Sequence, residues 1–220
     1  MCGRFSLTTN EAILNERFRL AGSIEPYVAR YNCAPTQNLA VITAIQPRRL
    51  SFFRWGLIPF WAKDEKIGSR MINARAEGIE EKPSYKNAFR QRRCLVPADG
   101  FYEWKSENGK IPYRITLYDQ QPFAMAGIWD TWKSPAGKTV HSFSIITTEA
   151  NELMKPIHDR MPVILTADLE DIWLKSNIPE EIRAILKPFD PRLMKAYEVS
   201  KLVNSPRNDN PALIIPLDQS

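Results

Sequence analysis

Five short runs in the middle of the chain constrain its fold most. LAVITAI (39–45), LSFFRW (50–55), PYRITLY (112–118), PFAMAGI (122–128) and VHSFSIIT (140–147) are rich in β-branched and aromatic residues and have the length of strands. ENGK (107–110) and SPAGK (134–138) supply turn residues, which favour antiparallel hairpins. Helical patterns flank this region. In TTNEAILNERF (8–18), Thr8 and Glu11 have the spacing of a capping box with Thr8 as N-cap. TADLEDIWLKS (166–176) and PEEIRAILK (179–187) also have helical spacing, the second with Pro179 in its first turn. The 17 prolines are scattered as punctuation, and no repeat, low-complexity tract or Gly/Ser linker divides the chain. The expectation is a sheet-rich α+β fold: one domain over residues 1–220, mostly antiparallel strands, a barrel-like core and peripheral helices.

Such a fold needs a large core, and 44% hydrophobic residues, with six Trp, ten Phe and seven Tyr, can supply it without covalent staples. The cysteines offer none. Cys2, Cys33 and Cys94 form no CxxC pair, and an odd number cannot all pair within one chain, which points to free thiols in a reducing compartment. With only His141 and His158 beside them, a structural zinc site is poorly supplied, and no metal or organic cofactor is expected. No segment resembles a signal peptide and no apolar run approaches the roughly 18 residues of a membrane span. A monomeric, cytoplasmic protein without a membrane partner is expected.

The net charge of +5 permits an anionic partner without requiring one. Placement says more. KNAFRQRRC (86–94) holds four basic residues with no acidic neighbour and is read as a solvated helix face in preference to a phosphate-facing patch. Arg4, Arg54, Arg75 and Arg160 each stand singly in apolar or small-residue stretches. A guanidinium in that setting needs a protein carboxylate or a ligand phosphate.

Five stretches combine reactive residue types with Gly, Pro and aromatics in runs lacking the period of a strand or helix, and are read as loops that form a site. They are MCGRF, YNCAP (31–35), RWGLIPFW (54–61), INARAE (72–77) with PADGFYEW (97–104), and IHDRMP (157–162). Glu103 is flanked by Phe101, Tyr102 and Trp104, surroundings that desolvate a carboxylate and raise its pKa; a salt-bridged structural carboxylate is the alternative. His158 lies between Pro156 and Pro162, outside any helix, whereas His141 reads as a surface or edge histidine. Asn73 can donate and accept at once.

These stretches, in this order, together with the tail VSKLVNSPRNDNPALIIP (199–216), resemble the SOS response-associated peptidase family, also called abasic-site processing proteins. The resemblance spans essentially residues 2–216. It implies loss of Met1 and use of the new N-terminal Cys2 to crosslink abasic sites in single-stranded DNA. The chemistry is consistent with an N-terminal cysteine, the only coded residue offering a free α-amine and a thiol two carbons apart, which close a thiazolidine on an aldehyde. With reference pKa values of about 7.7–8.0 and about 8.5, both nucleophiles are expected to be partly available near neutrality. By the same resemblance Cys2, Asn73, Glu103 and His158 are the catalytic set, with His158 shuttling a proton. Arg4, Arg75 and Arg160 are expected on phosphates flanking the lesion, with Pro35, Trp61 and Thr147 lining the DNA path. Phe60 beside Trp61 leaves open which ring meets a base. Cys33 and Cys94 match no catalytic position. The rivals are an N-terminal-nucleophile thiol amidase or peptidase and a non-covalent single-strand binder; the motif arginines argue against the first, and the Glu103 and His158 stretches against the second.

Overall fold

The computed structural model describes residues 2–23, 25–46, 49–107 and 109–217; Met1 and Asn108 of the expected ENGK turn lie outside them. The elements, in order, are β1 (Arg4–Leu7), α1 (Glu11–Arg17), β2 (Arg30–Cys33), β3 (Asn38–Thr43), β4 (Ser51–Trp55), β5 (Asn73–Arg75), α2 (Lys86–Gln91), β6 (Arg93–Ala98), β7 (Gly100–Ser106), β8 (Lys110–Leu117), β9 (Phe123–Lys133), β10 (Thr139–Glu149), β11 (Arg160–Pro162), β12 (Ile164–Leu165), α3 (Ala167–Lys175), α4 (Pro179–Ile185) and β13 (Met194–Glu198). Every one of the five expected strand runs contains a strand, and both later helical patterns form helices, with Pro179 opening α4.

Two sheets organise these strands. One has the order β13-β8-β7-β1-β2. The other runs β11-β10-β4-β3-β6-β9-β12, and a further β10–β9 pairing closes β10, β4, β3, β6 and β9 into a barrel. Most pairings are antiparallel; β10 pairs in parallel with β4 and β5. Having neighbours on both edges along its length, β10 is buried over seven consecutive residues, from Ser142 to Thr148. Residues of α1, α2, α3 and α4, among them Leu14, Phe89, Trp173 and Ile182, pack with Ala40, Ile42 and Leu95 of the barrel strands. A second core joins the alternate positions of those strands, including Val41, Trp55 and Val96, to Phe5, Phe101 and Ile115 of the first sheet. Cys2 lies in this second core.

Three local expectations change. The N-cap of α1 is Asn10, whose side chain accepts from the Ile13 amide, not Thr8. The Thr8 and Thr9 amides are captured instead by the buried carboxylate of Asp99, which also pairs with Arg114 at 3.0 Å; a charged acceptor at the β6–β7 corner outcompetes a local capping box. The basic run 86–94 is not one solvated face. Arg92 pairs with Asp130, and Arg93 is buried, donating to the carbonyls of Phe89, Arg90, Trp173 and Ser176 at the ends of α2 and α3. Finally, the site stretches are strands more than loops: Arg4, Asn32, Asn73, Glu103 and Arg160 all fall within β1, β2, β5, β7 and β11. β1 and β5 are short and pair with strands far along the chain, β7 and β10, and runs this short carry no local alternation.

Gly56 shows how RWGLIPFW is held. Its φ of 120° lies in the region that favours glycine, and an added Cβ would stand 2.4 Å from the Gly68 carbonyl oxygen. This close approach sets the 57–62 segment against the 3-10 turn at 65–70, leaving Phe60 and Trp61 exposed.

Candidate active site

The tail comes first, because it anchors β1. Asp209 accepts from the Tyr31 and Asn32 amides and pairs with Arg30. The Asn32 side-chain amide donates to the carbonyls of Val203, Ser205 and Asn208. Arg4 extends over the same segment, donating to Asn32 Oδ1 at 2.8 Å, to Val203 O at 2.7 Å and to Asn204 O at 3.2 Å. All three acceptors are neutral, so Arg4 keeps its positive charge although its side chain is engaged. Burial lowers its pKa.

Cys2 is 0% exposed, and the Asn73 side chain donates to its carbonyl oxygen at 2.8 Å. The Cys2 thiol lies 3.9 Å from the Arg4 carbonyl. Burial, reinforced by the negative charge of Glu103, pushes that thiol well above its ordinary range. The expectation of a partly ionised thiol near neutrality is therefore corrected: in this enclosed setting the sulfur is held as the thiol. Glu103 is itself buried on β7, and desolvation raises its carboxyl to about 7. It is then near half-protonated at neutral pH, able both to give and to take a proton.

His158 ends the turn that precedes β11, its amide bonded to the Met154 carbonyl at 2.8 Å. The Arg160 amide donates to His158 Nδ1 at 3.0 Å, and the Asp159 carboxylate lies 2.9 Å from the same nitrogen. Both cannot be served at once. Burial lowers the His158 pKa, which favours the neutral ring, the form in which Nδ1 can accept from the Arg160 amide. Asp159 in turn contributes to raising Glu103, so the two segments act on one electrostatic neighbourhood.

Strand β10 aligns the rest. In parallel register it sets Ile145 beside Asn73 and Thr147 beside Arg75, and across its other edge Thr147 faces Pro162 of β11. Thr147 is fully buried, and its Oγ1 and the Asn73 Oδ1 have no hydrogen-bond partner among the described residues. Arg160 donates to Glu77 with both terminal nitrogens, at 2.7 and 2.8 Å, and to the Thr147 carbonyl at 2.7 Å. Arg75 is exposed; its charge adds to that of Arg160, whose hydrogen bonds are the main cause of a depressed Glu77 carboxyl. Pro35 is half-buried after β2, and Phe60 and Trp61 are 55% and 48% exposed, so neither ring is a core residue. Cys33 and Cys94 are buried among apolar side chains.

The chain matches the family of SOS response associated peptidases over residues 1–206. It belongs to that family. The abasic site processing protein YoqW of Bacillus subtilis is 48% identical over 221 residues, covering 97% of this chain and 99% of its own. The abasic site processing protein HMCES of Xenopus tropicalis is 32% identical, covering 86% of this chain and 67% of its own. A crystal structure of a protein from Bacteroides thetaiotaomicron superposes with a TM-score of 0.88 at 34% identity, covering 98% of this chain and all of its own. The family's fold is thus the α+β architecture described above. Within this member two residues of the site were not singled out in the sequence: Asn32, which ties the tail to Arg4, and Glu77, which grips Arg160. Each sits inside a noted stretch, YNCAP or INARAE, but nothing in its spacing marks the distant partner.

No group of three or more His, Cys, Asp or Glu among the described residues is arranged to hold a metal ion, and no helix there is long and apolar enough to cross a membrane.

Proposed function

We propose that this protein recognises abasic sites in single-stranded DNA and, once Met1 is removed, forms a covalent thiazolidine crosslink through Cys2. The relatives named as abasic site processing proteins support the substrate class. The observation that carries the chemistry is the pairing of a buried Cys2 with a Glu103 raised to about 7. The Cys2 α-amine adds to the C1′ aldehyde of the open-chain sugar, and loss of water gives an imine. The thiol then adds across the C=N bond, its proton passing to nitrogen, so that aldehyde plus aminothiol yields thiazolidine plus one water. Glu103, able to hold or release a proton near neutrality, serves both the dehydration and the ring closure. His158 is the donor for opening the sugar ring. Asn73 fixes the Cys2 carbonyl and hence the direction of the amine.

Met1 removal is hydrolysis of the Met1–Cys2 peptide bond, for which the same residues make the chain an autopeptidase. Arg4, Arg75 and Arg160 meet the flanking phosphates, with Pro35, Thr147 and the exposed Trp61 along the strand's path. The protein acts as a single 1–220 domain, a monomer, in the cytoplasm, where its thiols stay free. Intact-mass analysis after incubation with abasic and undamaged oligonucleotides tests this reading. An adduct confined to the abasic strand is expected; an adduct on neither strand would overturn it, whether by amidase activity or by non-covalent binding alone.

A further inference from the structure

Of the four solitary arginines, Arg4 has neutral protein acceptors, Arg160 has Glu77, and Arg75 is exposed. Arg54 differs from all three. It lies on β4 between Asn38 of β3 and Ser142 of β10, half-buried. Its Nε is inaccessible to solvent and has no hydrogen-bond partner among the described residues, where no carboxylate pairs with the guanidinium. An arginine cannot escape that cost by losing its proton.

Arg54 opens onto a pocket of about 410 Å³ whose wall also carries Thr36, Asn38, Glu65, Lys138 and His141. Lys138 enters from the β9–β10 turn. His141 stacks on Phe53 with ring centroids 5.1 Å apart, and its Nδ1 lies 3.0 Å from Thr131 Oγ1. Thr36 has a φ of 73°, an unfavourable conformation for a β-branched residue, maintained by its amide donating to the Trp55 carbonyl at 2.8 Å. Glu65 is the single acidic lining residue and forms no ion pair with Arg54 or Lys138. Two cations and two short neutral hydrogen-bonding side chains surround one concave opening, a lining suited to an anion, while the His141 ring lies on the Phe53 face of the sheet and the residue borders the opening from β10. Six positions of β10 separate His141 from Thr147, about 20 Å of extended strand, so the pocket is distinct from the Cys2 site.

We propose that this pocket binds a phosphate group, with the Arg54 fork and Lys138 as charged donors and Asn38 and Thr36 as neutral ones. The phosphate is carried either by a free anion or nucleotide or by the backbone of a polynucleotide. His141 borders the pocket from β10 and His158 belongs to the Cys2 site, so the backbone amide NMR signals of these two residues give one reporter in each site. The full chain is titrated separately with inorganic phosphate, a nucleoside 5′-monophosphate and a short undamaged single-stranded oligonucleotide. The expected result is movement of the His141 signal that Arg54→Gln weakens about 10- to 100-fold, the usual loss for a hydrogen bond to a charged group. Movement with the small anions, with His158 unmoved, assigns a free phosphate or nucleotide; movement with the oligonucleotide alone assigns a strand phosphate. Lys138→Gln, an exposed turn substitution that leaves the core untouched, should weaken the same titration several-fold. No movement of His141 in any arm, or equal binding by the parent and the Lys138→Gln variant, would overturn the proposal.

Discussion

The Asn73 side-chain amide donates to the Cys2 carbonyl at 2.8 Å across 71 positions of sequence, and its own Oδ1 is buried without a partner among the described residues. One nitrogen therefore sets the orientation of the residue on which the proposed crosslink depends. Asn73→Asp replaces that donor with an acceptor facing a carbonyl. It should slow crosslinking at saturating DNA by about 10-fold or more, with affinity for undamaged strand unchanged. Single-turnover rates and equilibrium binding on the same preparations check the split.

Cys2→Ala removes the thiol and keeps an α-amine once Met1 is gone. Heat-stable adducts should disappear, whereas borohydride should still trap an imine. A heat-stable adduct in this variant would exclude ring closure from the mechanism.

Glu103 links activity to stability. Its carboxyl is held near 7 against an ordinary value of 4.5, so between these pH values the folded chain binds a proton that the unfolded chain does not. Stability is therefore greatest below about pH 4.5 with respect to this group and falls as pH rises toward 7, by about 3 kcal/mol in all. Glu103→Gln should remove that slope and be the more stable protein at pH 8, while losing about 10²- to 10⁴-fold in crosslinking rate. Denaturant midpoints at pH 5 and pH 8, with rates at pH 7, test both halves.

The arginines should differ among themselves. Each single-strand phosphate neutralised contributes about −0.7 to the slope of log K against log salt. Arg75, exposed and unburdened, should account for its full share, so Arg75→Ala makes the slope shallower by about 0.7. Arg160 must exchange Glu77, which is 58% exposed, for a phosphate. The Arg160 side chain is only 13% exposed and both terminal nitrogens hold the carboxylate, so this pair competes with a phosphate more strongly than a surface pair would, and Glu77→Gln should strengthen binding several-fold. Salt titrations in the Cys2→Ala background measure these without covalent capture.

Asp99 anchors the start of α1, the β6–β7 corner and Arg114 together. Asp99→Ala leaves a guanidinium of 9% exposure without its counter-charge and should cost about 3–5 kcal/mol. Asn10→Ala, removing only the helix cap, should cost about 1 kcal/mol. Thermal midpoints of the two variants should therefore be well separated.

Much of the fold was legible because it rests on local signals. The five strand runs, the Pro179 helix start and the SPAGK hairpin, whose strands pair Lys133 with Thr139, depend on propensity and turn chemistry carried by adjacent residues. At the candidate site, Cys2, Asn73, Glu103 and His158 were picked out by the resemblance of their stretches to a family, not by any local period. The strands β1, β2, β5 and β11 were not legible, because runs of three or four residues carry no readable period, and β7, although it pairs with the next strand β8, was read as part of a site stretch.

By itself, the sequence determined the class of fold and which side chains were available for chemistry, since both follow from residue identity and near neighbours. Only the tertiary structure decided the protonation states and the partners. Burial in a core assembled from two sheets raises Cys2 and Glu103, parallel pairing on β10 brings Asn73 and Arg75 alongside Ile145 and Thr147, and the returning tail claims Arg4. Desolvation and hydrogen bonding depend on what surrounds a group in space, and for these residues the surroundings come from chain segments tens to hundreds of positions away.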